Sequence, residues 1–169
     1  MKQPIRILAL TLALAACVHG EDRVYKQPSE FIKSAFGGKI PSASVLSLSS
    51  EAKTRAKAIM SHNFGESRIR HWKEGARSVW ILEEIGKTQP ITTGFLIENG
   101  QIKSVEILIY RESHGWEVSK PFFTKQFSNA SLKSGDQLSA DVKNVAGATL
   151  SVRAVTKLAR LALYLDSLV

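Results

Sequence analysis

Ile91-Thr92-Thr93-Gly94-Phe95-Leu96-Ile97-Glu98-Asn99-Gly100-Gln101-Ile102-Lys103-Ser104-Val105-Glu106-Ile107-Leu108-Ile109-Tyr110 reads as two β-strands joined by one tight turn. Asn99-Gly100 suits the central pair of a type I′ turn, where both residues need positive φ, and apolar runs flank it on either side. In the second run Val105, Ile107 and Ile109 alternate onto one face, while Ser104, Glu106, Leu108 and Tyr110 take the other. One face is therefore core and the other mixed. Upstream, Ser78 to Ile85 forms a third apolar run, separated from Ile91 by the turn-rich Gly86 to Pro90. Downstream, residues 111–118 leave the sheet through a turn at Gly115.

Helical periodicity lies on both sides of this sheet. From Leu150 to Leu168 the residues Ala154, Leu158, Leu161, Leu165 and Leu168 make one apolar stripe, widened by Val155 and Ala162, with Arg153, Lys157 and Arg160 on a separate face. Phe122, Phe123 and Phe127 recur at near-helical spacing within Lys120 to Phe127, and Ser128 to Ser139 reads as polar loop. Near the N-terminus, Pro28 suits a first helical turn and Gly37-Gly38 its end. Ser49 or Ser50 caps a second helix whose Ala52, Ala56, Ile59 and Met60 share one face, with Lys53, Arg55 and Lys57 toward water. Residues 62–76 lack a clean period and read as loop. The expected fold is α+β: an antiparallel sheet with a β-hairpin, packed by a C-terminal helix and N-terminal helices. The expected organisation is a leader over 1–20, an N-terminal helical region over 21–74 and one domain over 75–169.

The chain has 169 residues, enough for one well-packed domain, and a formal charge of +8. One cysteine excludes an internal disulfide framework and any cysteine-built metal site. His19, His62, His71 and His114 are scattered without helical i, i+4 pairing, so no metal site is expected. Phosphate-cradling loops, nucleophile elbows and dinucleotide fingerprints are missing from the sequence, so hydrolase and nucleotide-triphosphate roles recede.

Lys2 and Arg6 precede Ile7 to Ala16, an uncharged stretch whose one polar residue is Thr11. Ten such residues span about 15 Å as a helix against roughly 30 Å of hydrocarbon, so the stretch reads as a secretory signal. Residues 1–20 carry two cations and no acid, which leaves +6 on the remainder. Leu14-Ala15-Ala16-Cys17 resembles the lipobox of bacterial lipoproteins, which implies cleavage after Ala16 and acylation of Cys17. Val18 and Gly20 equally suit cleavage after Gly20, with Cys17 discarded, and both routes stay open. Either way the domain is expected to be periplasmic or otherwise extracytoplasmic, which argues against nucleic acid as the partner of its positive charge.

Before the last helix stands Asp141-Val142-Lys143-Asn144-Val145-Ala146-Gly147-Ala148-Thr149-Leu150-Ser151. Gly147 and Ala148 keep bulk away from the Thr149 hydroxyl, and a helix start presents unpaired N–H groups to an anion. On chemistry alone Thr149 or Ser151 reads first as an ordinary N-cap. The segment resembles the flavinylation motif of the FMN-binding domain family, and that resemblance displaces the N-cap reading. It implies an FMN cofactor whose phosphate a separate flavin transferase, using FAD and magnesium, joins to the hydroxyl of Thr149. Gly147, Ala148, Leu150, Ser151 and Asp141 accompany it in the motif. The order of Asn99-Gly100, strand and Glu112-Ser113-His114-Gly115 also matches the family, which implies that Glu112, Ser113, His114, Gly115 and Trp116 lie against the flavin.

The resemblance covers roughly residues 75–168. Ala146 stands where the family usually has serine, and Lys143 stands where an acid often lies six positions before the threonine. The implied function is an exported electron carrier, without catalytic residues of its own, that serves membrane or periplasmic redox proteins. The alternative is an exported lipoprotein or binding module that carries no flavin.

Overall fold

The computed structural model describes residues 22–169, so the leader and Cys17 lie outside the described residues. In chain order the elements are β1 (Arg23–Val24), α1 (Pro28–Ala35), β2 (Ala43–Ser47), α2 (Ser50–Met60), β3 (Arg68–Glu74), β4 (Arg77–Ile85), β5 (Pro90–Glu98) and β6 (Gln101–Tyr110). A short 3₁₀ turn, Trp116–Ser119, then leads through α3 (Pro121–Thr124) and further turns to α4 (Thr149–Asp166). The six strands form one antiparallel sheet in the order β1-β6-β5-β4-β3-β2, so the fold is the expected α+β.

The β5–β6 hairpin turns at Asn99 and Gly100, with φ of 53° and 69°, as a type I′ turn requires. Ser49 caps α2 by accepting from the Ala52 N–H at 3.2 Å, and Ala52, Ala56, Ile59 and Met60 are its buried face. α4 packs on β4, β5 and α2. Leu158, Leu161 and Leu165 are fully buried there, each contributing about 1.5–3 kcal/mol by leaving water. Leu168 lies beyond the end of α4 and is exposed, so the expected apolar stripe stops at Leu165. On the opposite face of the sheet α1 buries Phe31, Ile32 and Ala35 against Val79 and Leu108.

Two sequence expectations give way. Residues 62–76 are not mainly loop, because Arg68–Glu74 is β3, paired with both β2 and β4. The region before residue 75 thus supplies three strands of the common sheet as well as two helices. The faces of β6 also depart from simple alternation. Thr92 pairs with Ile109 but Thr93 with Ile107, which leaves Leu108 as an extra residue, a β-bulge. Beyond the bulge the side chains exchange faces. Val105, Ile107 and Tyr110 join the cluster under α4, whereas Leu108 and Ile109 face α1.

Candidate functional site

A cleft of about 510 Å³ opens where the β4–β5 turn, the chain leaving β6 and the start of α4 meet. Lys87, Glu112, Ser113, His114 and the segment Gly147 to Ser151 line it. Its volume falls within the range of small-molecule sites.

Tyr110 organises the floor. The bulge aims its ring under α4, where its hydroxyl donates to the carbonyl of His114 at 2.5 Å and lies 2.9 Å from Ser151 Oγ. With the phenolic hydrogen given to His114, Ser151 is the donor in the second bond. Burial pushes the Tyr110 phenol above its ordinary range, against the opposing effect of the Ser151 bond. Gly115 closes this corner at φ 84°, and a Cβ there would come within 2.8 Å of the Tyr110 hydroxyl.

Glu112 is buried and fully engaged. Its Oε1 accepts from the N–H groups of Lys87, of Thr88 at 2.6 Å and of Gln89 at 3.0 Å, and its Oε2 accepts from the Thr88 hydroxyl at 3.1 Å. Burial pushes its pKa up, but the Gln89, Thr88 and Lys87 N–H groups and the Thr88 hydroxyl together outweigh burial and hold it below the ordinary 4.5. The carboxylate pins the β4–β5 turn to the cleft floor. Because its folded pKa is lowered, this stabilisation is present above the ordinary carboxylate range and is lost as pH falls through the lowered value. Glu112→Gln is expected to cost about 2 kcal/mol near neutrality, the scale of hydrogen bonds to a charged acceptor. Urea unfolding should show the gap to the parent closing as pH falls below 4.5 toward the lowered value.

At the opposite wall, α4 begins without a side-chain cap. Its N-cap is Ala148, so neither Thr149 nor Ser151 plays the capping role that chemistry alone assigned first. Ala148 is buried, Gly147 has φ 77° with open space where a Cβ would stand, and Leu150 is exposed. The first turn, which contributes residues to the cleft lining, has no side-chain cap, an arrangement suited to an anion. Thr149 is half-buried, and its Oγ1 accepts from Asn144 Nδ2 at 3.0 Å. That bond uses an oxygen lone pair and leaves the hydroxyl hydrogen available. Thr149 also lines a second cleft, of about 500 Å³, that runs along α4 past Asn144, Arg153 and Lys157.

Ser113 and His114 are exposed at the rim, with Ser113 Oγ and His114 Nδ1 2.8 Å apart. Trp116 is not among the residues lining the cleft. It lies 37% exposed with Lys120 Nζ 4.9 Å from its ring centroid. Asp141 is exposed and ion-paired to Lys143, away from the cleft lining. Lys87, Tyr110 and Asn144 complete the site and were not among the sequence candidates. Asn144, a side-chain amide five residues before Thr149, carried a readable signal in its position. Lys87 and Tyr110 reach the site only through the turn and the bulge. Among the described residues no three His, Cys, Asp or Glu side chains gather as a metal site needs.

Residues 86–164, from the β4–β5 turn to the last turn of α4, match the family model of the FMN-binding domain. The match spans every residue that lines the first cleft. No curated protein and no solved structure matches the chain.

Proposed function

Because residues 86–164 belong to the FMN-binding domain family and FMN is their cofactor, we propose that this protein is an exported electron carrier with FMN bound covalently through Thr149. The observation that carries the proposal is the half-buried Thr149 at the uncapped first turn of an 18-residue helix, lining a cleft of small-molecule size. The residues fit the group. The first-turn N–H groups and Gly147 accommodate a phosphate without steric conflict, and the cleft bounded by Ser113, His114 and Leu150 leaves room for a ring system.

The proposed attachment is a substitution at phosphorus. Thr149 Oγ1 attacks the FMN-side phosphorus of FAD, the bond to the bridging oxygen breaks, AMP departs with that oxygen, and the hydroxyl proton passes to a base of the flavin transferase. Among the described residues the one hydrogen bond of Thr149 Oγ1 comes from Asn144 and not from a base, which fits activation by an outside magnesium-dependent catalyst. Asn144 orients the oxygen by donating to it, and Ala148 and Gly147 keep the approach open. Bound FMN supplies reversible electron uptake and release, while Tyr110, Ser151 and Glu112 hold the floor and turn in place. Outside the cytoplasm a freely dissociating cofactor would be lost by dilution, and a covalent tether prevents that. The leader either leaves Cys17 acylated at a membrane or is removed with it, and the partners are membrane or periplasmic redox proteins.

Intact-mass measurement of the chain matured beside a flavin transferase tests the proposal. The expected result is one added FMN phosphoryl ester, mapped by fragmentation to the peptide containing Thr149. An unmodified mass under these conditions refutes covalent attachment, and colourless protein refutes the carrier.

A further inference from the structure

The second cleft beside Thr149 is cationic, and its cations are not equivalent. Thr149, Arg153, Thr156, Lys157 and Arg160 share one face of α4 and line this groove. Arg160 Nε donates to the carbonyl of Asp136, and Lys157 Nζ lies 3.8 Å from Glu84 Oε1. Arg153 is exposed and has no hydrogen-bond or ion-pair partner among the described residues. It stands one helical turn beyond Thr149, at the i, i+4 spacing that brings side chains to about 5–6 Å between Cβ atoms.

A phosphate at Thr149 therefore has first-turn N–H groups on one side and an uncommitted guanidinium on the other. We infer that Arg153 is a phosphate-positioning residue, whose guanidinium pairs with the FMN phosphate beside Thr149 in the groove along α4. The inference rests on the reading of Thr149 as the attachment point and deepens it. Arg153 holds that phosphate at the start of α4 and gives the groove a preference for phosphorylated over unphosphorylated flavin. A guanidinium is suited to this task because its planar donors pair with two phosphate oxygens at once, which an ammonium cannot do.

The test uses the full chain produced without a flavin transferase, titrated with FMN and separately with riboflavin by flavin fluorescence. FMN is expected to bind more tightly than riboflavin, with inorganic phosphate competing against FMN alone. Arg153→Gln is expected to weaken FMN by about tenfold, the lower range for a charge-assisted hydrogen bond, and to leave riboflavin unchanged. Arg153→Lys should recover part of that loss. Lys157→Gln should weaken FMN by less than Arg153→Gln, since Lys157 faces Glu84. Equal affinity for FMN and riboflavin, absence of FMN binding, or an equal loss for both ligands in Arg153→Gln overturns the inference. Covalent attachment is judged separately by the mass measurement, so a groove without FMN preference and a Thr149 without added mass remain distinct failures.

Discussion

Thr149→Ala is expected to give a folded chain with no covalent flavin, even when matured beside an active transferase. The substitution removes the one hydroxyl at which the phosphoester forms, and Ser151 cannot replace it. Ser151 is 4% exposed, and its oxygen is committed to Tyr110 at 2.9 Å. The structural cost is small because Thr149 is not the N-cap of α4 and gives up a single bond, from Asn144. One such bond contributes about 1 kcal/mol or less at a solvent-accessible position. The measurement pairs intact mass with urea unfolding. Loss of the added mass with an almost unchanged midpoint is expected, whereas retained mass would place the link elsewhere.

Gly115→Ala is expected to produce the larger change in stability, about 3 kcal/mol, and to disturb the cleft floor. Two costs combine. A residue with a Cβ at φ 84° is strained by roughly 1–2 kcal/mol, and the new methyl also meets Tyr110 Oη at 2.8 Å, Ser151 Oγ at 3.1 Å and Ala148 Cβ at 3.2 Å. Those atoms belong to the elements that shape the site, so relief of the clash must move Tyr110 or the first turn of α4. Gly75→Ala separates the two costs, because Gly75 has φ 59° and open space around a Cβ. It should lose only about 1 kcal/mol. Chemical denaturation compares the two variants, and equal losses would mean that crowding at the cleft floor costs nothing.

The parts of the fold that could be read from the residues are those in which one local requirement dominates. Asn99-Gly100 announces its hairpin because few other pairs accept two positive φ values. The four buried residues of α2 and the buried stripe of α4 follow from helical periodicity alone. β3 escaped notice because its inward positions are Ile69 and His71, the latter stacked on Trp80 at 4.7 Å, among charged neighbours that hide the alternation. β2 escaped because it is an edge strand with little apolar surface to bury.

At the site, Thr149 and its neighbours were legible from the motif, and Ser113 and His114 do meet them at the cleft. The work of Glu112 was not legible. Its partners are N–H groups of a turn more than twenty residues away, and backbone donors leave no trace in side-chain identity. Tyr110 was assigned with Ser104 and Glu106 to the mixed face, an inference that holds only for a strand without a bulge.

That irregularity in β6 makes the site sensitive to chain length in a way the sheet is not. Gain of a single residue between Ile107 and Tyr110, in a strand that keeps its one bulge there, would turn the phenol toward α1. His114 and Ser151 would then each lose a partner while most of the pairing survived. Insertions at the Asn99-Gly100 tip leave that parity untouched, so divergent chains with this architecture should vary in hairpin length yet keep an invariant residue count from the bulge to the glycine corner.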